Sequence, residues 1–517
     1  MMLHSSLLIL GVASLLAPAL AHAHQHSEVM LVPFNADDDD QDGVRDYEDD
    51  QVNGSDDLAD LALVPLPAGN EIVEVSTDAP AGAVRLFWLE NKKQVASALS
   101  GETLTLPKTV APGDAVLVEA AQPRGLPVGS PWDGKFSVTV KRGDTISETH
   151  LQVAPLLVRP GTAAASHVFV REFPERNDRL IEQLTDFCAA ARCELHVVPS
   201  GDPYDYNHIW LQDAIEFLSS AKGDSPFAKP GWSLSLSLAA NRNRAIDLFP
   251  KDRLLGPSIG WIQVGEYRKQ FAEGEGGASW IDWYGNLEAS PPTKAYPEGR
   301  VLYGTDAARS AQLHPAVVDF LAAQQTQPPL ALDVGWLTIK HTDEMVSFLP
   351  AKDGGFYVAA PDPTAAINTL RELQSAGHGA TQMLDVFEQG VTIDSILADE
   401  DFIQANERLW AERIEPMAKT LCEGIGVSPD RLKRLPVLFQ PSGLPRTPNV
   451  VNCLVANGHV AMADPNGPII DGVDQLQAAV AELLTDAAVE LHFVDDRQYH
   501  KWSGNVHCAT NALRPIE

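Results

Sequence analysis

The feature that most constrains the fold is a change of texture near Pro155. Ahead of it, short apolar–polar alternations recur at residues 71–75, 83–88, 103–106, 115–118 and 136–140, separated by Gly, Pro and Asp. Period-two alternation is what a half-buried strand requires, because successive side chains point to opposite faces. Strands this short and evenly spaced predict one immunoglobulin-like β-sandwich over residues 61–153. Beyond Pro155 strands alternate with helices. Residues 167–170 read as a strand, 179–190 have helical spacing through Leu180, Leu184 and Phe187, and 194–198 read as the next strand. Later, 355–360 precede a helix over 364–376, and a helix over 474–485 leads into a strand over 489–494. Repeated strand–helix units predict an α/β or α+β domain filling residues 154–517, with no sequence repeat of fixed period.

The first 60 residues divide in two. Residues 7–16 are mostly apolar, and Ala19-Leu20-Ala21 and Ala21-His22-Ala23 are small-x-small cleavage candidates. Residues 1–23 are therefore expected to be a signal peptide, making the protein secreted or periplasmic; a buried N-terminal helix is the bland alternative. The apolar run is too short to cross a bilayer, and no later run could do so. Residues 24–60 are acidic. Asp38, Asp40, Asp42, Gly43 and Asp46 place alternate carboxylates on a tight loop, which suits calcium. Position twelve counted from Asp38 is Asp49 where an EF-hand has Glu, so the loop is closer to those of thrombospondin type 3 repeats. The same residues also fit an acidic linker.

Charge narrows the partners. Asp plus Glu number 70 against 38 Lys plus Arg, for a formal charge of −32. Such a field repels nucleic acid and anionic membrane and attracts metal ions or arginine-rich peptides. The five cysteines, an odd and sparse set, argue against a disulfide scaffold and leave at least one thiol without an internal partner. Cys508 beside His507, in a polar segment, reads either as a nucleophile or as a core thiol. His341 and Asp343 would share a face if their stretch is extended, and Asp213 follows Trp210 by three residues. Together these supply a thiol, an imidazole and two carboxylates.

Six stretches give those residues a context: WLQDAIEF, NRNR followed by LFPKDRLLGP, YGNLEASPP, WLTIKHTDEMVSFLPA, PNVVNCLVANGH and YHKWSGNVHCATN. Their order and spacing resemble the catalytic domain of the protein-arginine deiminases over roughly the last 360 residues. The resemblance implies the pentein fold, a five-bladed pseudo-symmetric α/β propeller, behind a β-sandwich. It implies conversion of arginine in a peptide or protein to citrulline, with calcium as cofactor. It makes Cys508 the nucleophile, His341 the general acid and base, and Asp213 and Asp343 the grip on the guanidinium. Arg244 would bind the substrate backbone and Trp210 would wall the arginine channel. Gln212, Glu216, Glu288 and the carbonyls of Tyr284 and Leu287 would hold calcium. Ala214 and Ala239 stand where a neighbouring calcium site of the family has acids, although Asn243 survives from it, and Trp502 replaces a basic residue. Three other readings compete. One is a related pentein enzyme on free arginine or agmatine. Another is a catalytically silent secreted calcium-binding protein. The third, a cysteine protease, finds no papain-like or caspase-like signature around Cys508.

Overall fold

The computed structural model describes residues 29–91, 93–107, 110–111, 113–201, 208–221, 223–228, 233–242, 244–266 and 279–516. The expected signal peptide and Asn243 lie outside the described residues. The front of the chain is a two-sheet sandwich. One sheet orders Met30–Val32, Thr145–Val153, Lys135–Arg142, Val73–Thr77 and Leu104–Leu106; the other orders Ala62–Val64, Ala115–Ala120, Val84–Glu90 and Lys93–Leu99. Val73, Val75, Val138 and Val140 of the first sheet face Leu86, Trp88, Val116 and Val118 of the second across a shared core. Val84–Leu89 is buried on both faces, because Phe87 and Leu89 pack outward onto Leu61, Leu63 and Leu117.

The acidic stretch is built into this sandwich. Met30–Val32 adds a parallel edge strand to Thr145–Val153, Phe34 bridges Ala120, and a short helix spans Asp57–Asp60. The core continues without a break into the second half through Leu236, Leu238, Leu287 and Phe320.

The second half repeats one wiring five times. Each unit has an entering strand, an antiparallel second strand, a helix, and a third strand parallel to the second. Unit two runs Ile215–Ser220, Ser235–Ala239, Ile259–Gln263. Unit three runs Leu287–Ala289, Val301–Asp306, Leu330–Asp333. Unit four runs Ser347–Pro350, Phe356–Asp362, Leu432–Pro436. Unit five runs Leu454–Ala456, His459–Ala463, Glu490–Val494. Unit one is split across the chain: its second and third strands are His167–Arg171 and Glu194–Val198, and its entering strand is the C-terminal Thr510–Leu513. The helix expected over 179–190 is Asp178–Ala191, its apolar stripe of Leu180, Leu184 and Phe187 buried in unit one. Among the described residues, no helix is long and apolar enough to cross a membrane.

Candidate active site

The repeat explains where chemistry gathers. The residues just ahead of an entering strand all lie at the same end of their sheet. Cys508 precedes Thr510–Leu513, Asp213 precedes Ile215–Ser220, Tyr284 precedes Leu287–Ala289, His341 and Asp343 precede Ser347–Pro350, and Asn452 precedes Leu454–Ala456. Five segments far apart in sequence thus meet at one end of the unit array.

Cys508 is 4% exposed and sits in the short helix Val506–Ala509. Its backbone N–H donates to Asn452 Oδ1 at 3.2 Å, and Asn452 Nδ2 donates to its Sγ at 3.2 Å. The thiol faces Asp343 Oδ2 at 3.4 Å, and that oxygen is also 2.9 Å from His507 Nδ1. His341 and Asp343 occupy not an extended stretch but a 3-10 turn, Thr342–Glu344, with His341 as its N-cap. The turn brings the two side chains together in place of strand alternation. His341 Nε2 donates to the Trp280 carbonyl at 2.8 Å, which leaves Nδ1 as the working nitrogen, 3.5 Å from Asp213 Oδ1.

Three buried polar atoms in this group lack a hydrogen-bond partner: Asp213 Oδ1, His341 Nδ1 and Asp343 Oδ1. Buried polar atoms are nearly always satisfied, so such a cluster marks where a ligand with several donors belongs. Burial raises Asp213, with His341, Arg242 and Arg244 opposing the rise. Burial also lifts the Cys508 thiol well above its usual value, and Asp343 and Asp213 push it further. Both carboxylates thus favour the protonated thiol. Cβ atoms are excluded at two points. One on Gly285 would lie 2.4 Å from His341 Nδ1, and one on Gly504 would lie 2.5 Å from the Trp210 ring. Trp210 is held edge-on against Tyr499, with ring centroids 5.3 Å apart. Arg244 and Arg242 stack on Trp283 at 4.5 and 5.0 Å, and the Arg244 guanidinium reaches His208 Nδ1 at 2.8 Å.

The expected calcium ligands converge beside this centre. Gln212 Nε2 donates to Glu216 Oε2 at 2.8 Å and to the Tyr284 carbonyl at 3.3 Å. Leu287 is buried and opens the strand that carries Glu288. Burial, then Glu288, lifts Glu216 to about 8; burial likewise lifts Glu288 to about 7. His507 Nε2 lies 3.5 Å from Glu288 Oε1. Burial opposes charge on His507, but Glu288 and Asp343 outweigh it and raise the imidazole to about 9. The carboxylates, carbonyls and amide oxygen of this set suit a hard cation, with the Gln212 amide turned to present oxygen. Ala214 and Ala239 are buried methyl groups, Ala214 just ahead of Ile215 and Ala239 its register partner, and Trp502 packs edge-on to Phe173.

The front segment holds a second all-oxygen group, organised differently from the sequence expectation. Asp38, Asp40 and Asp42 form an outer loop in which Asp38 accepts from the N–H groups of Asp42 and Gly43. Asp46 belongs instead to a buried set with Asp39 and Asp57, next to Asp37 and Asp60. Asp37 Oδ1, Asp39 Oδ2 and Asp60 Oδ1 are buried without hydrogen-bond partners. Burial first, then mutual repulsion, lifts Asp37 to about 7, Asp39 to about 8 and Asp46 to about 9.

Nothing local in the sequence gives Asn452, His507, Trp280 or Trp283 a role. The first lies within the quoted PNVVNC stretch and the second adjoins Cys508; only the repeat, invisible in the sequence, marks their positions as functional.

Five units of this wiring, with polar residues converging at one end, define a pentein fold. A family model described as protein-arginine deiminase (PAD) matches residues 145–516. Protein-arginine deiminase type-4 of Rattus norvegicus is 32% identical over 381 residues, covering 70% of this chain and 54% of its own. Type-3 of Homo sapiens is 31% identical over 379 residues with the same coverage. The chain belongs to the protein-arginine deiminase family, and spans about half the length of these relatives. A solved structure titled a putative arginine deiminase from Porphyromonas gingivalis covers 69% of this chain and 98% of its own at 16% identity, with a TM-score of 0.38.

Proposed function

We propose that this chain hydrolyses the guanidinium of arginine in a peptide or protein to citrulline and ammonia, in a calcium-dependent reaction. The observation that carries the reading is the set of partnerless buried atoms, Asp213 Oδ1, His341 Nδ1 and Asp343 Oδ1, beside a buried thiol. A guanidinium is a planar cation with five fixed donors, which two carboxylates can bind as a fork; a lysine ammonium is a point charge and cannot match it.

Entry of that cation offsets Asp213 and Asp343, so the Cys508 proton can leave to His341 Nδ1. The thiolate attacks the guanidinium carbon, forming a C–S bond and a tetrahedral adduct. His341 returns the proton to a departing nitrogen, the C–N bond breaks, and ammonia leaves a covalent thiouronium. His341 then takes a proton from water, which adds to the same carbon; the C–S bond breaks and citrulline forms. Trp210 walls the channel, and Arg244 is positioned to meet the substrate backbone. Calcium, when bound by Gln212, Glu216, Glu288 and the Tyr284 and Leu287 carbonyls, would neutralise the two glutamates and fix the turn carrying Asp213. The Asp38–Asp46 region and its buried neighbours would bind calcium independently and act on stability. The apolar run and overlapping cleavage candidates support export; an N-terminus after Ala21 or Ala23 in protein from the native host is expected, and an intact Met1 in cytosolic protein contradicts it.

The test is release of citrulline and ammonia from a blocked arginine ester, with calcium and with chelator. Calcium-dependent turnover, faster than on free arginine or agmatine, is expected. No turnover on the blocked ester, or full rate in chelator, overturns the reading.

A further inference from the structure

The end of the array opposite the active site carries a second chemistry. Second strands run antiparallel to entering strands, so they begin at the end away from Cys508. In units one and five those starting positions hold the same residues. His167 opens the second strand of unit one, and Glu194, its register partner, opens the third; His196 follows two residues on, on the same face. His459 and Glu490 are paired in the same way in unit five, and His492 follows two residues on. At the matching places unit two has Ser235, Ile259 and Trp261, so the pattern is not a requirement of the repeat.

Both triads are compact. In unit one, Glu194 Oε2 is 3.7 Å from His167 Nε2, and Glu194 Oε1 is 3.4 Å from His196 Nε2. In unit five, His459 Nδ1 is 3.1 Å from His492 Nε2 and 3.8 Å from Glu490 Oε2, and Glu490 Oε1 is 3.8 Å from His492 Nε2. A tetrahedral ion with ligand bonds of about 2.0–2.1 Å holds its ligand atoms about 3.3–3.4 Å apart. In unit five the spacings of 3.1–3.8 Å bracket that value, and in unit one the 3.4 and 3.7 Å spacings lie at or just above it. Two further features prepare unit one. His167 Nδ1 is tied to Ser166 Oγ at 2.8 Å, which aims Nε2 at Glu194, an outer contact of the kind that orients metal-binding imidazoles. His196 Nε2 is a buried ring nitrogen with no hydrogen-bond partner.

We propose that these two triads are a pseudo-symmetric pair of transition-metal sites, each taking one borderline-soft divalent ion such as zinc through two imidazoles and one carboxylate. Imidazole donors separate them from the all-oxygen groups described above, which favour calcium. Each leaves a fourth coordination position for water.

Full-length protein stripped with chelator and exchanged into chelator-free buffer is dialysed against zinc chloride, and bound zinc per chain is counted. His196→Ala and His492→Ala should each bind one ion fewer than wild type, and the double variant two fewer. Glu194 and Glu490 are largely exposed, so Glu194→Gln with Glu490→Gln tests the same sites without threatening the fold; it should weaken the same two ions. Zinc should raise the melting temperature of wild type more than that of either double variant. Equal zinc and equal thermal shifts in wild type and the double variants overturn the assignment, and a loss of only one ion in the histidine double variant overturns the pairing.

Discussion

Two of the buried carboxylate groups among the described residues differ in what surrounds them. Around Asp213 and Asp343 the protein supplies its own positive charge: His341, Arg242 and Arg244 oppose the rise in Asp213, and His507 contacts Asp343. Around Asp39, Asp46 and Asp60 the leading influences after burial are other aspartates, all raising; at Asp37 backbone hydrogen bonds oppose the rise before Asp57 and Asp38 add to it. Under the proposed function, carboxylates balanced in part by the protein's own cations suit a substrate cation that leaves at every turnover. Carboxylates with no balancing side chain are, under the proposed function, the ones a resident cation would stabilise; without it burial and mutual repulsion favour their protonated forms.

The sharpest way to break this contrast is at the active end. Cys508→Ser should cost on the order of 10³-fold or more in kcat on a blocked arginine ester, with an unchanged far-UV circular dichroism spectrum, because a hydroxyl is far less ionised than a thiol. Substantial residual turnover would remove Cys508 from its role. Asp213→Asn and Asp343→Asn should each lose about 2–4 kcal/mol of transition-state binding, roughly 30- to 1000-fold in kcat/KM, with no gain on lysine. A near-normal value would show that the carboxylate is not a substrate clamp.

How much of this was legible follows from the same contrast. The sandwich strands and the helix at Asp178–Ala191 were readable because their apolar periodicity is local. The five-unit repeat was not, since each unit keeps only its wiring and the connection between second and third strands ranges from the short helix Phe249–Arg253 to several helices between Asp362 and Leu432. Asp213, His341, Asp343 and Cys508 stand out in the sequence as candidates, their roles come from family resemblance, and the structure gathers them. Asn452 had no signal of its own; it matters because unit five delivers it to Sγ. Asp46 was grouped with the wrong neighbours on the loop, because sequence spacing favours Asp38, Asp40 and Asp42, whereas the chain turns inward and joins it to Asp39 and Asp57.

The front group should answer to different experiments. In calcium, Asp60→Asn should lower stability by about 1–3 kcal/mol; in chelator the sign should reverse, because the substitution then removes a carboxyl whose raised pKa makes the fold bind a proton that the unfolded chain has released. Lower stability under both conditions would mean that Asp60 serves packing alone. pH gives a smaller, graded effect. Asp37, Asp39 and Asp46 are raised to about 7, 8 and 9. In chelator the folded chain therefore holds more protons than the unfolded chain above about pH 4, and stability should fall as pH rises through about 9. Calcium should flatten that slope, and denaturant melts at stepped pH values read it directly. Between the two groups, Glu288→Ala should shift the calcium midpoint of activity, whereas Asp60→Asn should leave it in place.

The central claim, that a buried guanidinium grip presents its carbon to Cys508, is tested most directly by trapping the intermediate. Turnover of a blocked arginine ester is quenched in acid and the protein is digested and weighed by mass spectrometry. The expected result is a Cys508-containing peptide heavier by the substrate less one ammonia, absent from Cys508→Ser and from chelator-treated protein. Turnover that proceeds with no such adduct, or an adduct on Cys188, Cys193, Cys422 or Cys453, would contradict the account.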